Sequence, residues 1–155
     1  APPVSPVYEA MLIYLDPLSL PQTSARLYHF KVTNPTGSNI TVNSMPFTFR
    51  VSGITLDNLG LYIYQDGFFS NRAYESNPVA SSSRTIVDGE TIDMFGPGLL
   101  RLISNPVIPA GSIYYFSLKG DLINKTSDSP SIEIRHPLMP AQIIPTPLGL
   151  GLLSY

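Results

Sequence analysis

Two histidines, His29 and His136, are the only imidazoles in a 155-residue chain that contains no cysteine. Proton shuttling or serine activation would have to be built around one of them, because thiolate and zinc–thiolate chemistry need cysteine. His29 alternates with Leu27 and Lys31 on the less apolar side of an extended segment, and His136 precedes Pro137 at the end of another. Neither has a partner at the spacing of a triad or a metal pair, so both read as surface or rim histidines. No Gly-rich phosphate loop and no G-x-S-x-G motif accompanies them.

The ionic candidate is Asp88-x-Glu90-x-x-Asp93, joined by Asp121 or Asp128 from another loop. Carboxylates on sandwich loops can hold Ca²⁺, which takes six to eight oxygens at about 2.4 Å. The spacing matches no EF-hand, and Asp88-Gly89 is already accounted for as a turn, so a solvated turn is the preferred reading and calcium the alternative. A glycosidase would need two such carboxylates flanking a cleft, which nothing in the spacing indicates. A sugar-binding surface would need exposed rings, and Tyr62, Tyr64, Phe68, Phe69, Tyr74, Tyr114 and Tyr115 are available, although the chain has no Trp. Tyrosines at period two are more often core or cross-strand pairs, and Phe68, Phe69 and Tyr74 read as rings closing the end of the fold, with a recognition loop as the alternative.

The elements that must position these residues are strands. Apolar residues recur at every second position in Tyr28, Phe30 and Val32, in Phe47, Phe49 and Val51, in Leu61 and Ile63, and in Phe116 and Leu118. Further short segments are expected near Arg84 to Val87, Thr91 to Phe95, Leu99 to Ile103 and Ser131 to Arg135, with turn residues between them. The segments from Ala25 to Thr33 and from Ile40 to Val51 follow hairpin logic around Asn34-Pro35-Thr36-Gly37-Ser38, with Pro46 at an edge or bulge. No helical period and no fixed internal repeat interrupts this pattern, which predicts one all-β, antiparallel sandwich, Ig-like or jelly-roll-like. Residues 25–136 form its core, 1–24 an N-terminal arm with a Pro-rich linker, and 137–155 an apolar Pro/Gly-rich tail that belongs to the same single domain.

Composition narrows the function. A hydrophobic fraction of 43% against 13% charged residues belongs to a folding chain, and a net charge of -2 offers nothing to neutralise phosphates, so nucleic acid is not an expected partner. Pro, Asp or Arg interrupts every apolar run before the roughly 18 residues of a membrane-spanning helix. A chain opening on Ala1 is read as the product of signal-peptide removal, which predicts a secreted or cell-surface protein. The tripeptides starting at Asn39 and Asn124 are glycosylation sequons compatible with that location.

Phe30-Lys31-Val32-Thr33-Asn34, Ile40-Thr41-Val42-Asn43-Ser44, Leu56-Asp57-Asn58-Leu59 and Ile108-Pro109-Ala110-Gly111-Ser112 before Phe116 to Leu122 carry a resemblance. From about Ala25 to Arg135 the chain resembles the Ig-like β-sandwich domains of prokaryotic cell-surface and adhesin-type proteins. The resemblance implies a cell-surface module, while the absence of cysteine, the two isolated histidines and the lack of a nucleophile motif predict no enzymatic activity and no cofactor beyond the Ca²⁺ alternative. Val7 to Leu15 is apolar on both faces, a pattern that suits a strand covered on both sides. Val7, Met11, Ile13 and Leu15 are therefore expected to form an assembly arm lying against a neighbouring copy in an extracellular filament, pilus or surface layer, with the tail from Leu148 to Leu153 as a second candidate arm and packing of both arms on their own domain as the alternative. The alternative is a carbohydrate-binding or adhesin module with surface glycans as partners.

Overall fold

The computed structural model describes residues 6–11, 22–127, 130–144 and 152–154. Among them lie thirteen strands: β1 (Val7–Met11), β2 (Gln22–Thr33), β3 (Ile40–Thr41), β4 (Pro46–Ser52), β5 (Thr55–Tyr64), β6 (Ala80–Ser81), β7 (Thr91–Asp93), β8 (Leu100–Arg101), β9 (Val107–Ile108), β10 (Ile113–Ile123), β11 (Ser131–His136), β12 (Met139–Ile144) and β13 (Leu152–Ser154). No described residue is helical. One sheet has the order β1-β2-β10-β5-β6-β8, the other β13-β12-β11-β4-β7, and β3 with β9 forms a separate ribbon. Neighbours in all three are antiparallel, so the expected all-β antiparallel class holds.

The alternating stripes meet between the two sheets. Phe30 on β2 pairs with Phe116 on β10, their rings stacked at 4.9 Å, and Tyr28 and Phe30 reach Phe47 of the opposite sheet at 5.9 and 6.0 Å. Val32, Phe49, Leu61, Ile63 and Leu118 complete the predicted core fully buried, while Val51 near the sheet end is half-buried. The Tyr28 hydroxyl donates to the Pro140 carbonyl, joining the sheets at a buried polar point.

One end of the six-stranded sheet is shaped by two bulges facing each other across β10. Pairing slips between Gly120↔Ala25 and Leu122↔Gln22 on one side and between Lys119↔Gly60 and Asp121↔Asp57 on the other. The extra residues include Ser24 and Asn58, both left-handed at φ 53° and 55°. The Asp121 carboxylate holds both bulges, accepting from the Ser24 amide at 2.8 Å and from Asn58 Nδ2 at 2.7 Å. A third slip puts Leu27 and Tyr28 together opposite Leu118, which explains why Leu27, expected on the polar face, is fully buried. Gly120 makes room for it: a Cβ there would lie 2.8 Å from Leu56 Cδ1 and 3.1 Å from Leu27 Cδ1.

Several sequence expectations are corrected. β2 and β4 are not a hairpin. β2 pairs with β1 and β10, and β4 lies in the other sheet between β11 and β7, because Asn34 ties the intervening loop elsewhere. This buried amide donates to the carbonyls of Ser38, Ile108 and Pro109 and accepts from Thr36 through its backbone and hydroxyl. Arg84 to Val87 is no strand beyond a single bridge between Asp57 and Thr85. The tail assigned to 137–155 includes β12, paired along β11, and the backbone of β13.

Candidate functional site

β1 lies at the edge of the six-stranded sheet, bonded to β2 in the register Val7↔Thr33 through Met11↔His29. The arm expected against a neighbour thus pairs, over the described part, with its own chain; Ile13 and Leu15 lie outside the described residues. Its even-numbered residues explain the pairing: Tyr8 and Ala10 turn onto the core, while Glu9 faces outward 3.8 Å from Lys31. Tyr8 stacks on His136 at 5.4 Å, and β1 also touches β12.

His136 is not a surface residue but 7% exposed, enclosed by Tyr8, Phe30 and Phe47. Its Nδ1 accepts the Leu138 amide at 3.1 Å, so the neutral ring carries its proton on Nε2, which has no partner. Burial lowers its pKa to about 4. Gln142, the β12 residue paired with Ile134, is fully buried with both amide atoms unpaired. On the paired strands β11 and β12, His136 and Gln142 thus leave three buried polar atoms unpaired, one of them under the Tyr8 ring of β1.

His29 is 6% exposed although it points away from the core, because Phe69, left-handed at φ 56°, folds its ring over the imidazole at 4.0 Å. Nε2 lies 2.7 Å from Ser117 Oγ on β10. Burial first, then the positive charges of Arg26 and Lys119, lowers the His29 pKa to about 3. A Ser–His pair thus exists that spacing did not reveal, since it spans adjacent strands 88 residues apart. Among the described residues no carboxylate bonds this imidazole, and at such a pKa it is a weak base at neutral pH.

The carboxylates are kept apart. Asp88 accepts from the Val51 amide at 2.9 Å and Arg50 Nε at 3.2 Å, the amide chiefly holding its pKa below the usual range. Glu90 accepts the Val87 amide and pairs with Arg84 at 2.5 Å, and Asp93 accepts the Met45 and Phe95 amides. Asp121 serves the bulges, and Asp128 lies outside the described residues. Among the described residues no three His, Cys, Asp or Glu side chains are placed to share a metal ion. Asp88 and Arg50 sit instead beside an open groove of about 450 Å³ on the outer face of the five-stranded sheet.

The aromatic residues divide. Tyr74 packs edge-on against Tyr114, Phe69 covers His29 beside Tyr64 and Tyr115, and Lys119 lies over the Tyr62 ring at 4.6 Å. Phe68 alone stands out, 91% exposed. Its turn is firm: Asp66 accepts from the Ser70 and Asn71 amides and the Ser70 hydroxyl. Of the sequon residues, exposed Asn39 accepts the Ala110 amide at 3.2 Å, and exposed Asn124 is left-handed at φ 52°. Among the described residues no helix is long and apolar enough to cross a membrane. The chain matches no protein-family model, and no curated protein or solved structure matches it.

Proposed function

We propose that this chain is a non-enzymatic structural subunit of an extracellular filament or cell-surface layer, self-assembling by exchange of its N-terminal strand between copies. The observation that carries the reading is the position of β1, an edge strand bonded to β2 on one side and covering His136, whose Nε2 is unpaired. Residues 12–21, the ten positions between Met11 and Gln22, can span about 33 Å when extended, so the slot on β2 is within reach from a neighbour as well as in cis. An exchanged strand makes the same main-chain bonds, which is why such a swap costs little beyond ordering the connection. The Ig-like resemblance adds the expectation of a surface location.

Deleting residues 1–15 tests this. The truncated protein is expected to keep its β-type circular dichroism while electron microscopy shows no assemblies. Loss of the β-signal together with assembly would make β1 an ordinary strand of its own domain, and undiminished assembly would sink strand exchange. A second reading, a glycan-binding or adhesin module, draws on exposed Phe68 at its pinned turn. Saturable binding on a glycan array, abolished by Phe68→Ala, would favour it.

A further inference from the structure

The sheet edges are not equally protected. β1 carries the Glu9–Lys31 ion pair, and β7 is three residues long with a Thr at its start and an Asp at its end. Such charges and short lengths discourage edge-to-edge pairing. At β8 the segment is Leu99-Leu100-Arg101-Leu102-Ile103, where Leu99 and Ile103 pack on the core while Leu100 and Leu102 are 62% and 48% exposed. Its one charge is spent internally: the Arg101 guanidinium donates to the Phe95 carbonyl at 2.6 Å and to Asn105 Oδ1, and lies over the Phe95 ring.

The hydrogen-bond parity of this strand fixes what can dock there. Leu102 donates its amide to Val79 at 2.9 Å, and the register runs Arg101↔Ala80, Leu100↔Ser81. Antiparallel bonding alternates, so Leu100 and Leu102 bond inward to β6, and the N–H and C=O of Arg101 point off the sheet. We infer that β8 is a self-complementary contact, pairing antiparallel with β8 of a second copy about a two-fold axis at Arg101. Arg101 then exchanges both backbone bonds with its counterpart, and each Leu100 stands opposite the other copy's Leu102 in a close, non-hydrogen-bonded pair. Shifting the axis by one residue would bring one leucine pair together and strand the other two, so this register covers the most apolar surface. The guanidinia, drawn toward Phe95 and Asn105, are held away from each other.

Two leucines a side fall far short of the roughly 1,000 Å² of a stable interface, so the contact is weak in dilute solution and gains strength where copies are already held close. It does not rest on exchange of β1. The absence of native cysteine makes it easy to trap. Full-length Leu100→Cys and Leu102→Cys proteins, distinguished by mass and checked for an unchanged melting temperature, are mixed in a glutathione redox buffer. The expected result is a 100–102 disulfide heterodimer several-fold more abundant than either homodimer, and more abundant than dimers of Val87→Cys, an exposed control outside β8. Predominance of either homodimer would overturn the register, and cross-linking no greater than that of Val87→Cys would overturn the contact.

Discussion

Lowering the pH from 8 to 5 tests the two buried imidazoles together. Protonating His136 would put a proton on Nδ1, where the Leu138 amide already donates, and would leave a charge among three aromatic rings. Protonating His29 would add a cation beside Arg26 and Lys119. The fold therefore favours neutral rings, with pKa values held at about 3 for His29 and about 4 for His136, below the ordinary 6.5. Because the unfolded chain binds the protons that the folded one refuses, stability is complete above about pH 6.5 and falls as pH drops toward the folded-state values. At pH 5 each unfolded histidine gains about 2 kcal/mol from protonation, so the pair removes about 4 kcal/mol, a large share of the 5–15 kcal/mol of a typical domain. The lowered carboxyls of Asp66, Asp88 and Glu90 act in the same direction but in a more acid window, below about pH 4.5, so a scan ending at pH 5 isolates the histidines. Urea titrations at pH 8, 6.5, 5.8 and 5 measure the slope, and His136→Phe should halve it. A midpoint unchanged between pH 8 and pH 5, or an unchanged slope in that variant, would refute the reasoning.

Two further outcomes are expected in the same assay. Gly120→Val should cost about 1–3 kcal/mol by overpacking, because its Cβ would lie 2.8 Å from Leu56 Cδ1 and 3.1 Å from Leu27 Cδ1; a variant as stable as the parent would show that the bulged strands relax freely. Asp121→Ala removes the acceptor of both bulges and should cost about 1–2 kcal/mol, with exchange of the Ser24 backbone amide and of the Asn58 side-chain amide accelerated together. Acceleration at only one of the two would show that the bulges are independent.

The period-two stripes were legible because a sheet with one face in the core imposes that period on its sequence, and Tyr28, Phe30, Val32, Phe47, Phe49, Leu61, Ile63, Phe116 and Leu118 all lie buried where it placed them. What escaped was whatever breaks the period or arrives from elsewhere. Leu27 joined the core through a bulge, and no local pattern announces that Asp121 anchors the separate bulge at Ser24 from nearly 100 positions away. β12 was hidden by Pro140 and Gln142, both buried. The histidines were misplaced because their cover is non-local: Phe69 and Ser117 for His29, Tyr8 and Phe47 for His136. The carboxylates were close in sequence, but each had an amide of its own to accept.

The pairing of β2 with β10 also sets a timetable. The longest of the described strands, Gln22–Thr33, finds its inner partner only at Ile113–Ile123, so a polypeptide growing from its N-terminus keeps β2 without that neighbour until most of the sequence has been made. Only β1 can join it early, and a lone two-stranded ribbon is marginal in water. Closing a loop of some 80 residues must precede any reward from the Phe30–Phe116 stack, which puts folding in the slow, millisecond-to-second regime of non-local β topologies. Throughout that interval the segment from Val7 to Thr33 has an open edge on β2. Under the proposed strand exchange, copies meeting while their first strands are uncommitted would capture one another's β1 according to local concentration as much as stability.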